Sequence, residues 1–263
     1  MTYFFQPSDF DQFRLMARKA VLAGLRPNQT SWHSPDQGEL LFKGAEISHL
    51  SHQKPNAELR VPQSFLTQVK TIWCHRDPSR LDVIYRILWR VHQGERHLLD
   101  CSSDDDVQSF KQMDQAVRRD VHKMKAFVRF RRVSALVEGG PDCFVAWHCP
   151  DHRIATLAAP FFARRFGDMH WSIMTPTESA HWDTESLRFG PGASRDDAPN
   201  ADELEDLWRT YYRSIFNPAR LKVKAMKAEL PVRHWRTLPE ATEIEDLIRE
   251  APSRVEEMFR KNR

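Results

Sequence analysis

The chain has 263 residues, of which 41% are hydrophobic, 29% charged and 11% aromatic, with a formal net charge of +3 at pH 7. That composition excludes a chain disordered throughout, and the length suffices for a core without a metal or disulfide staple. No apolar run approaches the roughly 20 residues of a membrane span, Met1-Thr2-Tyr3-Phe4-Phe5 has no basic n-region, and four cysteines are too sparse for a disulfide framework. The expectation is a soluble, cytoplasmic protein with no membrane partner.

Ser8 is placed to cap a first helix, with Asp11 at the capping-box position, Phe10, Phe13, Ala17, Ala20 and Val21 at helical spacing, and Gly24 as a stop. From Leu25 to Arg60 the pattern dissolves into Pro, Asn, Gln, Ser and His, which predicts an irregular connection with a short strand at Glu39-Leu40-Leu41-Phe42. Pro62 opens a second helix to about His75. Asp77-Pro78 starts a third, marked by Leu81, Ile84, Tyr85, Leu88 and Trp89, and Asp104-Asp105-Asp106 a fourth that lasts to about Lys123.

Then the period changes. Lys125 to Arg131, Cys143 to His148, Arg153 to Leu157, Trp171 to Thr175, Ala180 to Asp183 and Leu187 to Phe189 read as strands, and Pro160 to Phe166 as a short helix. Beyond a Gly/Pro/Asp-rich loop at 190–200, helices are expected at 202–216, 218–230, 241–249 and 252–261. The fold class is α+β, with a mostly antiparallel central sheet over about 125–189 flanked by N-terminal and C-terminal helices. No clean linker divides the chain, so 1–263 reads as a single domain: an N-terminal helix and irregular segment (1–60), helices (61–124), the sheet (125–189) and C-terminal helices (200–263).

The distribution of charge says more than its sum. Arg118 to Arg132 holds seven Lys or Arg against one acid, Asp120, and Asn217 to Arg236 holds six against one, Glu229. On a helix, Lys111, Arg118 and His122 share a face with Arg119 and Lys123 beside it, opposite Phe110, Met113, Val117, Val121 and Met124. Arg129 and Arg131 follow on one side of the expected strand, and Arg220, Lys224 and Lys227 align in the second segment. Such faces are either solvated surface or phosphate-binding surface, and two dense clusters in a nearly neutral chain favour DNA or RNA over a nucleotide or an acidic protein. Phe127, Phe130, Trp171, Trp182, Tyr211, Tyr212 and Trp235 lie near the clusters; most belong in a core, and one or two suffice to stack on unpaired bases.

No P-loop, Rossmann glycine fingerprint, nucleophile elbow or zincin motif is present. Cys143, His148, Cys149 and His152 have donors near zinc spacing, but no second CxxC accompanies them, so buried structural thiols are the expectation and no metal or cofactor is assigned. In Arg118-Arg119-Asp120-Val121-His122-Lys123, neighbouring cations disfavour the charged imidazole and ease deprotonation of the lysine. His122 is then a candidate base, and Lys123 or Lys125 a candidate amine nucleophile of the kind that attacks C1′ of an abasic sugar, with phosphate binding as the plainer role. His181 and Asp183 fall two apart on one strand face, either as an acid/base pair or as a capped turn.

Long stretches carry a family likeness: Arg80 to Arg90, Ala116 to Met124, Ala159-Pro160-Phe161-Phe162, Trp171-Ser172-Ile173, His181-Trp182-Asp183 and, most strongly, Trp208 to Met226. Over about 60–250 the chain resembles a bacterial DNA-metabolism or repair family built on a domain of unknown function. Its members are typically encoded beside a radical-SAM protein and sometimes fused to a uracil-DNA glycosylase-like domain. The family pattern has His where this chain has Lys125 and an acid where it has Cys149. The resemblance implies a DNA-repair-associated protein that binds damaged or single-stranded DNA. If it is an enzyme, a DNA glycosylase or abasic-site lyase is the expected class, with His122, Lys123, His181 and Asp183 as catalytic candidates. Arg118, Arg119, Lys125, Arg129, Arg220, Lys222, Lys224 and Lys227 would hold the nucleic acid. The alternative is a non-catalytic DNA-binding adaptor for a radical-SAM repair partner.

Overall fold

The computed structural model describes residues 2–34, 59–133, 142–197, 226–227, 230–238 and 241–261. The chain forms two compact units, Met1–Arg119 and Asp120–Arg263. Their boundary falls inside a helix, where the sequence carries no compositional break. None of the helices among the described residues is long and apolar enough to cross a membrane.

In the first unit, strands β1 (Tyr3–Phe5) and β2 (Thr30–Trp32) pair in parallel, Tyr3 opposite Thr30 and Phe5 opposite Trp32. Helix α1 (Phe10–Leu22) connects them. Its cap is Asp9 rather than Ser8: the Asp9 carboxylate accepts the Gln12 N–H at 2.8 Å. Gly24 ends the helix at φ +73°, where its freedom allows Leu25 N to reach Ala20 O at 3.0 Å. Helices α2 (Gln63–Trp73) and α3 (Arg80–His92) follow, the latter starting after a turn in which Asp77 accepts the Ser79 N–H. Phe5 stacks on Trp32 at 4.3 Å, and Phe13, Phe65, Ile84, Tyr85 and Phe110 complete one apolar core. The two three-residue strands lie where no strand was expected, and the segment expected at 39–42 lies outside the described residues.

Helix α4 (Asp105–Phe127) runs past the expected end near Lys123. Val107, Phe110, Met113, Val117 and Met124 are buried at helical spacing, and Val128 N closes a last turn on Met124 O at 3.1 Å. The expected strand over 125–131 is therefore corrected: burial at period 3.6 overrides the β propensity of Phe127 and Val128, and strand β3 (Arg131–Val133) begins at Arg131. Arg129, placed on a strand by its sequence, instead donates to Ala126 O and Val128 O at the helix end.

The sheet of the second unit continues with β4 (Cys143–Trp147), β5 (His170–Met174), β6 (Glu178–Trp182) and β7 (Leu187–Pro191) in spatial order β3-β4-β5-β6-β7. The α+β class holds. The sheet itself is mixed, because β4 and β5 pair in parallel while the other three ladders are antiparallel. The parallel pair needs a crossover, and helix α5 (Ala155–Arg165) supplies it. Arg153 to Leu157, expected as a strand, opens this helix: Ala155, Ala158, Ala159 and Phe162 repeat at i, i+3, i+4 and i+7 and are buried. Glu178 accepts the Ala155 N–H at 2.8 Å, an acid at the positive end of the helix. Helix α6 (Ala241–Lys261) is one element through Pro252 where two were expected, and those at 202–216 and most of 218–230 lie outside the described residues.

Candidate functional site in the mixed sheet

Alternation along the strands gives the sheet two different faces. Ala146, Trp171, Ile173 and Ala180 are buried on one, where Phe130 and Phe162 of α5 meet Trp171 at ring distances of 5.8 and 6.2 Å. Fully burying side chains of this size stabilises by roughly 1.5–3 kcal/mol each. The other face carries Cys143, His170, Ser172, His181 and Arg188, none of them fully buried. They line a cleft of about 190 Å³ together with Asp183, Phe144, Trp171 and Trp182.

Strand register builds the centre of this cleft. Ser172 of β5 lies directly opposite His181 of β6, and Ser179 sits two residues before His181 on the same face. His181 is held from both sides: its Nδ1 is 2.8 Å from Ser172 Oγ and its Nε2 is 2.9 Å from Ser179 Oγ. Burial pulls the His181 pKa below the usual histidine value, which favours the neutral ring. Ser172 lines the cleft, whereas Ser179 is buried behind it. Opposite Ser179 on β7 stands Gly190, where a Cβ would come within 2.8 Å of Ser179 Oγ and 3.5 Å of His181 Nε2. A side chain at that position would press on the Ser179–His181 bond.

Asp183 shares the cleft but is bound to the turn after β6. It accepts Ser186 N at 2.7 Å, Ser186 Oγ at 2.9 Å and Glu185 N at 3.1 Å, and pairs with Arg188 at 2.9 Å. The Ser186 N–H leads in holding its carboxyl down at about 2. Of the two roles read from sequence, the capped turn is what these contacts describe, and both His181 nitrogens face serines rather than Asp183.

The other candidates sit elsewhere. His122 is exposed and Lys123 half-buried on α4, and neither lines the cleft. Arg118 and Arg119 are exposed, Arg118 pairing with Asp114 at 2.7 Å. Lys125 lies over the Phe161 ring at 5.2 Å, and Arg132 pairs with Asp142 at 3.1 Å. Lys227 is exposed, while Arg220, Lys222 and Lys224 lie outside the described residues. Asp120, the acid within the first basic segment, is buried and accepts the His152 N–H at 2.9 Å. Among the aromatics, Phe130 and Trp171 are core, Trp182 donates to Gly167 O and Trp235 to Leu230 O; Tyr211 and Tyr212 lie outside the described residues.

The expected pair of buried thiols is corrected, because β4 ends at Trp147 and leaves Cys149 exposed in the following loop, with Cys143 half-buried. His148 is buried against His234, the rings stacked at 5.3 Å. Among the described residues no three His, Cys, Asp or Glu side chains group closely enough to hold a metal. The sequence missed Ser172, Ser179 and Gly190; the alternation in His170-Trp171-Ser172-Ile173-Met174 signals a polar face, and Ser179 is an i, i+2 neighbour of His181 on one strand, but only the pairing register brings Ser172 to the ring.

Residues 78–240 match the sequence profile of a domain of unknown function, DUF4130. The chain belongs to this family. The matched segment begins just before α3 and takes in all five strands of the sheet and the whole cleft. No curated protein and no solved structure matches the chain.

Proposed function

We propose that this member of the DUF4130 family binds single-stranded or damaged DNA, with the sheet cleft taking one unpaired nucleotide of the strand. The observation that carries the reading is the cleft itself: an arginine beside a serine and a histidine whose neutral form is favoured, on a half-exposed sheet face. Its volume is below the roughly 300–1,000 Å³ of drug-sized ligand pockets, which suits a single base or phosphate better than a large cofactor. Arg188 is available to phosphate because its side chain is 74% exposed, and ion pairs this open to solvent are worth about 0–1 kcal/mol. The exposed cations Lys125 and Lys227 of the same unit extend the reading to backbone contacts.

Within this proposal, the lesion-processing chemistry belongs to His181 rather than to a lysine amine, since no lysine lines the cleft. The resemblance supplies the repair context and a radical-SAM protein as the partner that would receive the bound strand, and the sequence reading places both in the cytoplasm. Labelled oligonucleotides, single- and double-stranded, intact or carrying uracil or an abasic site, test it directly. Salt-sensitive binding is expected, with Arg188→Ala weakening it and flattening the plot of log affinity against log salt by about 0.7, the share of one single-strand phosphate. Absence of binding at low salt overturns the reading.

A further inference from the structure

We propose that Ser172 is a nucleophile activated by His181, with Ser179 as the positioning residue, and that its substrate is a phosphodiester; the substrate class rests on the DNA-binding reading above. The three groups form a line across two strands: Ser172 Oγ to His181 Nδ1 at 2.8 Å, and His181 Nε2 to Ser179 Oγ at 2.9 Å. The line is asymmetric. Ser172 and His181 border the cleft, whereas Ser179 is 4% exposed. With the ring proton on Nε2, Ser179 accepts it and fixes the imidazole plane, leaving the Nδ1 lone pair on the Ser172 hydroxyl. That is the arrangement of a nucleophile, a base and an orienting third group.

Gly190 supports this independently. It is the β7 residue opposite Ser179, and any Cβ there would crowd the Ser179–His181 bond. The space is kept clear where the orienting bond runs. The charged and titratable groups around His181 are His170, Cys143, Asp183 and Arg188, all lining the same cleft. Arg188 supplies the positive charge that a phosphoryl group needs as it takes on a fifth oxygen.

In the step, Ser172 Oγ forms a bond to phosphorus as its proton passes to His181 Nδ1. The P–O bond to the leaving sugar oxygen breaks on the side opposite Ser172, and that oxygen takes a proton from water. A water then attacks from that side and gives its proton to solvent, while the proton held on Nδ1 returns to Ser172 Oγ as the seryl phosphodiester bond breaks.

The test uses diisopropyl fluorophosphate on the full chain, with the adduct located by peptide mass spectrometry and oligonucleotide binding measured in parallel. Labelling of Ser172 is expected, abolished in Ser172→Ala and slowed roughly 100-fold or more in His181→Gln, the span of general-base catalysis. Ser179→Ala should shift the pH midpoint of labelling, which a purely structural loss would leave in place. Circular dichroism confirms that each variant is folded. No adduct at Ser172 in folded wild-type protein overturns the nucleophile, whatever the DNA result. Equal labelling in His181→Gln overturns the base, and an unchanged pH profile in Ser179→Ala overturns the positioning role. An adduct without oligonucleotide binding upholds the Ser172–His181 pair and overturns the nucleic-acid phosphodiester as its substrate.

Discussion

Each unit holds one polar side chain in a set of hydrogen bonds, and the two sets differ in what they enclose. In Met1–Arg119 a buried cation is closed off completely: Arg80 is 1% exposed, donates to Trp73 O at 2.9 Å, Asp77 O at 3.1 Å and Ser34 Oγ at 2.9 Å, and lies over the Trp73 ring. In Asp120–Arg263 the sheet holds His181 in a chain of hydrogen bonds that ends at a cleft. Both arrangements satisfy their polar atoms. The difference is where the satisfied group points its remaining chemistry, into packed helices in one case and toward a space that a ligand can enter in the other. Buried polar networks of the first kind stabilise and specify a core; those of the second orient a reacting group.

The comparison breaks most visibly at Arg80. Arg80→Ala leaves three acceptors without their donor and a cavity among helices, and should lower the stability of the protein by about 3–5 kcal/mol in urea unfolding. A loss below 1 kcal/mol would show that the guanidinium is not part of the core. The second unit has its own rigid point at Gly192, where a Cβ would overlap the carbonyl oxygen of Pro176 and lie 2.6 Å from its carbon and 2.9 Å from the Thr177 carbonyl carbon. Because those atoms are backbone, Gly192→Ala should cost about 1–3 kcal/mol, read as a lowered Tm. Unchanged melting would mean the turn at Pro176 and Thr177 is softer than its contacts suggest.

A smaller effect is expected at the first helix. Asp9→Ala removes the acceptor of the Gln12 N–H and should cost about 1 kcal/mol by denaturant unfolding. The smallest concerns Asp183, whose folded pKa of about 2 lies below its unfolded value near 3.8. The sign follows from linkage: its contribution is fully present above about pH 4 and is lost as pH falls through 2. A carboxyl carbon titration followed by NMR should give a midpoint near 2, and a midpoint near 4 would show that the β6–β7 turn does not hold it.

Much of the helical framework was legible. The repeat of Phe10, Phe13, Ala17, Ala20 and Val21 placed α1, and Leu81, Ile84, Tyr85 and Leu88 placed α3, because an apolar stripe at helical spacing has few other uses. The end of α4 was not, since Phe127 and Val128 favour strands locally and only the burial of Val128 one turn after Met124 decides otherwise. The start of α5 carried a readable stripe in Ala155, Ala158, Ala159 and Phe162, hidden by the β-leaning Ile154 and by Pro160. In the cleft, His181 and Asp183 were legible as two residues on one strand face. Their separation into a serine-held ring and a turn cap was not.

The sequence by itself determined the α+β class, the strands around Trp171 and His181, and the amphipathic course of α4, because periodicity and turn chemistry are local properties of the chain. Only the tertiary structure decided that β4 and β5 run parallel, that Ser172 stands across from His181, and that Gly190 leaves room beside Ser179. Those facts depend on the direction and register with which strands pair, which no single strand encodes, and a shift of one residue would turn every one of these side chains to the opposite face.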